Sequence, residues 1–272
     1  MSVNPTSIQS GFARSRSEAL FPRLFPDAGW WCPSLNPPGG TRLHDLSGRQ
    51  NWGTLTSMAN DDWVVSVGRG ALDFDGSNDG VLTNSAPAIT TNAVTVCTWL
   101  NPSRLTRGDL VTRWVGGASS GDQFNLLYGL TSGKPQFYVA FGPSGGTNSG
   151  TGSATMAIGR WHFVTGIWTG SACEVYLDGV FQSRSTTAGT LRTTAGSQFS
   201  IGRNLSTDGY TQGQLDDIRI YDRALSASEV RQLYQLGRGN MPRIRQRRYT
   251  EEAAGFKAYW ANRRSRIIGA GI

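Results

Sequence analysis

The sequence predicts an all-β domain, a sandwich or a barrel, with one short C-terminal helix and extended terminal arms. Three observations carry this. Residues 41–225 break into strand-length apolar runs separated by Gly, Pro, Asn and Asp turn signals. Several runs alternate with period two. The last run is followed by a helix start signal. At 272 residues the chain has room for one large β domain plus arms.

Residues 1–40 read as an N-terminal arm. Pro5, Pro22, Pro26, Pro33, Pro37 and Pro38 interrupt any long regular element. Phe21, Leu24, Phe25, Trp30 and Trp31 are expected to pack on the main domain or on a neighbouring subunit. Residues 41–237 form that domain. Its strand runs are DDWVVSV, ALDF, AVTVCTWL, DLVTRWV, QFNLLYGL, PQFYVAF, WHFVTGIW, CEVYL, GVFQS, SQFSIG and LDDIRIY. In WHFVTGIW, Trp161, Phe163, Thr165 and Ile167 share one face, and His162, Val164, Gly166 and Trp168 the other. Asp178-Gly179 between CEVYL and VFQS signals a tight hairpin, because Gly accepts positive φ. Ser226 and Glu229 form a capping box. Val230, Leu233 and Tyr234 follow at helical spacing, and Gly237 is expected to end the helix.

Residues 238–272 form a tail. Eight arginines and Lys257 face Glu251 and Glu252 there, which accounts for the whole net charge of +7 and leaves residues 1–237 with 17 basic and 17 acidic side chains. That division is not the pattern of a protein built around one nucleic-acid-binding face. The tail alternates Arg with Tyr249, Phe256, Tyr259 and Trp260, a composition suited to docking. Arg with interleaved aromatics can also hold phosphates and bases, but the two glutamates and the neutral domain make nucleic acid the weaker reading.

Cys32, Cys97 and Cys173 are odd in number and widely spaced, which argues against a disulfide framework and a zinc site. They read as buried small apolar residues. The N-terminus lacks an apolar stretch of signal-peptide length, and no apolar run reaches the roughly 20 residues that span a bilayer. The expectation is a protein made in a reducing cytoplasm, without a membrane partner.

LHDLSGRQNWGTLTSM, ALDFDGSNDGV, VTVCTWLNP, GRWHFVTGIW, VYLDGV and GQLDDIRIYDRALSASEVRQLY resemble, in order, the signature elements of the laminin-G-like domains of the concanavalin A-like lectin and glucanase superfamily. The resemblance covers about residues 41–237. It implies a two-sheet antiparallel jelly-roll sandwich. Members include carbohydrate-binding modules, adhesion domains and, more distantly, glycoside hydrolases, so the site must decide function.

Retaining hydrolases on this sandwich need two carboxylates about 5 Å apart on one strand. The five glutamates, Glu18, Glu174, Glu229, Glu251 and Glu252, form no such motif. His44 and His162 have no evident nucleophile, and GPSGGTNSGTG precedes no Lys-Ser/Thr helix start. The expectation is no catalysis. Related domains hold a structural calcium between the Asp-Gly element and the closing strand, and the resemblance nominates Asp75, Asp79 and Asp216. The competing reading is that Asp75-Gly76 and Asn78-Asp79-Gly80 form turns. Trp114, Tyr128, Tyr138 and Tyr210 are the aromatics considered for a sugar site; none is assigned.

A lectin-like sandwich without an export signal needs another way out of the cell, and lysis supplies one. The expected function is a virion structural protein of a tailed bacteriophage: a capsid decoration protein, head fibre or tail appendage. Its arm and tail would dock on other virion proteins, and its sandwich would be free to meet glycans. The ending FKAYWANRRSRIIGAG loosely resembles segments after such domains in phage-like proteins. A homo-oligomer would suit an appendage. The alternative is a secreted bacterial carbohydrate-binding or adhesion module.

Overall fold

The computed structural model describes residues 24–66, 69–114, 122–130, 132–142, 146–192, 199–204 and 209–239. Most of the tail, and the arm before residue 24, lie outside the described residues.

The strands in chain order are β1 (Gly29–Trp31), β2 (Arg42–Leu43), β3 (Gly53–Thr56), β4 (Trp63–Ser66), β5 (Arg69–Asp75), β6 (Gly80–Thr83), β7 (Val94–Pro102) and β8 (Gly108–Arg113). They continue with β9 (Phe124–Tyr128), β10 (Pro135–Phe141), β11 (Gly146–Thr151), β12 (His162–Trp168), β13 (Ala172–Leu177), β14 (Val180–Thr186), β15 (Ser200–Ile201) and β16 (Gln212–Tyr221). Helix α1 (Ala227–Gly239) follows. All described pairings are antiparallel. The first sheet runs β14-β13-β12-β7-β16-β5-β4, with β1 also on β16, and the second β11-β10-β9-β8-β15-β6-β3-β2. This is the two-sheet sandwich.

Both faces of the first sheet are buried at β12, as the two apolar sets of WHFVTGIW require. Val164 and Trp168 join the core between the sheets, while Trp161, Phe163 and Ile167 belong to a second cluster under α1. Gly166 marks a close approach of the sheets. A Cβ there would lie 2.2 Å from Cγ of Phe137.

Residues 24–40, set apart as arm from the sequence, are part of the structure around this sheet. Trp31 enters the inter-sheet core and stacks on Phe199 at 5.0 Å between centroids. Trp30 donates through Nε1 to Asp217 at 2.8 Å, and Tyr221 donates to the Leu24 carbonyl at 2.7 Å. β16 makes room for β1 by a bulge. Its register against β7 shifts between Asp216 and Arg219, and Asp217 takes a φ of 52°. β5 then pairs with the first half of β16 and β1 with the second.

The Asp-Gly hairpin forms as expected, with Gly179 at a φ of 76°. The capping box forms too. Glu229 N–H donates to Ser226 Oγ at 3.3 Å, and Ser226 N–H donates to the Glu229 carboxylate at 2.8 Å. The expected helix end at Gly237 is corrected: α1 continues to Gly239. Gly237 serves a close contact, since a Cβ there would sit 2.4 Å from Trp99 Nε1. All three cysteines are buried and free.

Candidate functional site

The second sheet turns one face to the core and the other away from it. Along β9, Phe124, Leu126 and Tyr128 point into the core, which sends Asn125 and Leu127 outward. Along β10, Phe137 and Val139 point inward, which sends Gln136 and Tyr138 outward. Cross-strand register then assembles the outer face. One row reads Ser200, Thr112, Asn125, Tyr138, Ser149, and the next reads Asp109, Leu127, Gln136, Thr151. Residues far apart in sequence thus form one polar surface.

The floor of this surface is withdrawn from water. Thr112 and Asp109 are fully buried, and Asn125 and Gln136 are each 3% exposed. Asn125 donates from Nδ2 to Asp109 at 2.5 Å, and Gln136 from Nε2 to Thr151 at 3.1 Å. Asp109 also accepts from Arg107 Nε at 3.1 Å. Burial pushes the Asp109 carboxyl above its ordinary value, with Arg107 and Asn125 opposing. Among the described residues three atoms of this floor have no hydrogen-bond partner: Thr112 Oγ1, Asn125 Oδ1 and Gln136 Oε1. Each such buried polar atom costs about 1–3 kcal/mol. Tyr138 and Trp114 stand half-buried beside it, edge to face at 6.4 Å.

Beside Asp109 lies a rim of loop residues. Asp109 N–H donates to the Gly209 carbonyl at 3.0 Å. Tyr210 carries Arg203 over its ring at 5.4 Å, and its carbonyl accepts from Arg104 Nη2 at 3.3 Å. Of the aromatics considered from sequence, Tyr138, Trp114 and Tyr210 border this face, whereas Tyr128 is a core residue.

The three aspartates nominated for calcium do not converge. Asp75 and Asp79 share one turn. Asp79 accepts the Asp75 N–H at 2.9 Å, while Asp75 accepts the N–H groups of Ser77 and Asn78 at 2.7 and 3.3 Å. Burial pushes Asp75 up, but the backbone amides together outweigh it and hold its carboxyl below the usual range. Burial, reinforced by the charges of Asp75 and Asp62, pushes Asp79 up to about 6. Asp216 lies four residues along β16 from Gln212, the partner of Asp75, or roughly 13 Å at the rise of a strand. Its oxygens are taken by Arg69 at 2.7 Å and by the amide and hydroxyl of Ser34, each at 3.0 Å. The trio does not fit one calcium ion. Among the described residues no group of three or more His, Cys, Asp or Glu side chains could hold a metal.

The remaining titratable candidates are structural. His162 Nε2 accepts the Ala157 N–H at 3.0 Å, so Nδ1 carries the proton toward Asp178 at 2.9 Å. His44 is exposed. Glu174 accepts from Tyr176 at 2.8 Å and pairs with Arg184.

A jelly-roll sandwich with a polar, aromatic-bordered outer face defines a lectin-like domain. The chain belongs to the concanavalin A-like lectin/glucanases superfamily, whose family model matches residues 75–231, more than half of its length. No curated protein matches its sequence. Several solved structures share the fold. The binding domain of Paraclostridial Mosquitocidal Protein 1 superposes with a TM-score of 0.58 at 15% identity, over 78% of this chain and 52% of that one. Domain 4 of AbnA, a GH43 extracellular arabinanase from Geobacillus stearothermophilus, in complex with arabinotriose, gives 0.57 at 20% identity, over 76% of this chain and 98% of that domain. The botulinum neurotoxin serotype D binding domain gives 0.56 at 12%, over 81% and 53%. The chain spans about half the length of the toxin binding domains it matches.

Proposed function

We propose that this chain is a non-catalytic glycan-binding module whose site is the outer face of the second sheet. The observation that carries the reading is the set of buried, unpartnered atoms Thr112 Oγ1, Asn125 Oδ1 and Gln136 Oε1 beside the Tyr138 ring. Sugar hydroxyls supply the missing donors, and an aromatic ring supplies a stacking platform. The arabinanase domain solved with arabinotriose supports it by matching over nearly its whole length. The absence of catalysis is supported by the floor, whose two rows hold Asp109 as their one carboxylate among the described residues; hydrolysis of a glycosidic bond needs two.

The setting we propose is the virion of a tailed bacteriophage, where the module would serve as a capsid decoration protein, head fibre or tail appendage. The charge division supports it: a neutral sandwich is followed by a basic, aromatic segment that carries all of the net charge. A secreted bacterial adhesion module would use the same site in another place.

The test is a polysaccharide array probed with the full-length chain, with Tyr138→Ala and Gln136→Leu alongside, together with mass spectrometry of purified particles from the source. The expected result is binding by the wild type and its loss in both variants, each shown by its thermal unfolding to be folded. Binding that survives in both variants removes the outer face as the site. Absence of the chain from particles removes the virion.

A further inference from the structure

The rim beside the floor holds two cations that no anion meets among the described residues. Arg203 lays its side chain across Gly80, where a Cβ would fall 2.1 Å from its Cδ, and ends over the Tyr210 ring. Arg104 reaches the same residue from the other side, through the Tyr210 carbonyl. The Nε of each is buried and unpartnered. Among the described residues no carboxylate lies within ion-pair distance of either. Arg107, between them and the floor, is already committed to Asp109. Asp75 and Asp79 stand on the neighbouring turn and spend their hydrogen bonds on backbone amides.

A guanidinium cannot shed its proton to escape burial, so a half-buried arginine without a counter-charge is costly unless something supplies one. Two at one rim, neither with a counter-charge among the described residues, match the paired acceptor oxygens of a carboxylate or a sulfate. The rim also adjoins the floor directly. Asp109 is bonded to Gly209, and Tyr210 is the next residue.

We propose that the ligand is an acidic glycan, which sets its hydroxyls on Thr112, Asn125 and Gln136 and its anionic substituent between Arg104 and Arg203. This rests on the glycan reading of the outer face and adds the charge of the sugar to it. It places ligand selection on two residues outside the polar floor.

The experiment is calorimetric titration of the full-length chain with two matched polymer pairs. Polygalacturonate against its methyl-esterified form isolates a carboxylate, and a sulfated galactan against its desulfated backbone isolates a sulfate. Wild type, R104Q, R203Q, the double variant and R203K are compared, with thermal unfolding confirming that each is folded. The basic C-terminal segment attracts any polyanion, but it is identical in every variant, so only the difference between variants reads the rim. The expected result is at least tenfold preference for one acidic polymer over its neutral partner. That preference should fall at least fivefold in the double variant, to the level the shared basic segment sets, and be partly kept in R203K, which retains charge without the fork. Equal binding of acidic and neutral polymers by the wild type overturns the proposal while leaving the glycan site standing. So does a preference that survives unchanged in the double variant. Failure to bind any of the four polymers also overturns it, and the array then decides separately whether the outer face binds glycans at all.

Discussion

Arg69 donates from Nη1 to Asp216 Oδ2 at 2.7 Å on the helix side of the first sheet, where both side chains are buried. The guanidinium also lies 4.5 Å from the Trp99 ring and 5.5 Å from that of Trp161, and its Nη2 donates to the Gly237 carbonyl at 2.6 Å. With Ser34 on the other side of Asp216, one ion pair ties β5, β16, the N-terminal segment and α1 together. Removing one member leaves a buried charge alone, which costs about 3–5 kcal/mol. Arg69→Met should therefore lose about that much in urea unfolding. Arg69→Met/Asp216→Leu should lose less than Arg69→Met alone. Additive losses would mean that the two residues contribute independently.

Gly237 gives a test in which intrinsic propensity and packing disagree in sign. In a helix interior, Gly to Ala gains about 1 kcal/mol. At Gly237 the new methyl would meet Trp99 Nε1 at 2.4 Å and Cε2 at 2.7 Å. Overpacking of this kind costs about 1–3 kcal/mol. Gly237→Ala should lower the urea midpoint; a raised midpoint would show that α1 does not sit this close to the sheet.

These two sites also show how far the sequence could be read. The capping box and the Asp178-Gly179 hairpin are local, and both were legible because their partners lie within a few residues. Gly237 was misread as a helix end, since a glycine that stops a helix and one that admits a neighbouring indole look alike in sequence. β11, GTNSGT, escaped notice because an edge strand of Gly, Ser, Thr and Asn lacks the apolar alternation that marks a half-buried strand. Asp75 and Asp216 were grouped through a family resemblance, and register separates them. The outer face was illegible for the same reason. Thr112 and Asn125 meet across the β8–β9 pair, Ser200 joins them only because β15 inserts beside β8, and nothing local announces that neighbour.

The turn at Asp79 carries a pH signature. Its carboxyl rises from the ordinary 3.8 to about 6 in the folded protein. A folded-state rise means the native state holds its proton more tightly than the unfolded chain. The associated stability is complete below pH 3.8 and is lost as pH climbs through about 6. Asp79→Asn keeps an acceptor for the Asp75 amide and cannot ionise. The variant should melt above the wild type at pH 8, with the gap closing through pH 6 and gone by pH 4. A gap that is constant with pH would mean that the carboxylate charge does not matter.

Thr112 offers the sharpest separation of a binding floor from ordinary structure. Its hydroxyl is fully buried on the outer face with no partner among the described residues. A buried hydroxyl of that kind lowers stability, and an isosteric apolar replacement removes the cost. Thr112→Val should therefore raise the melting temperature by about 2–4 °C, the shift that roughly 1 kcal/mol gives a domain of this size. If the hydroxyl instead awaits a sugar, the same change should weaken glycan affinity by about tenfold, one hydrogen bond's worth. Thr112→Ser should keep the affinity without the gain. A stabilised protein that binds less well is the mark of a residue retained for its ligand at the expense of the fold. A stabilised variant with unchanged affinity would reduce Thr112 to a packing defect and would move the site toward Tyr138 and Gln136. A destabilised one would mean that the hydroxyl is solvated in the native protein.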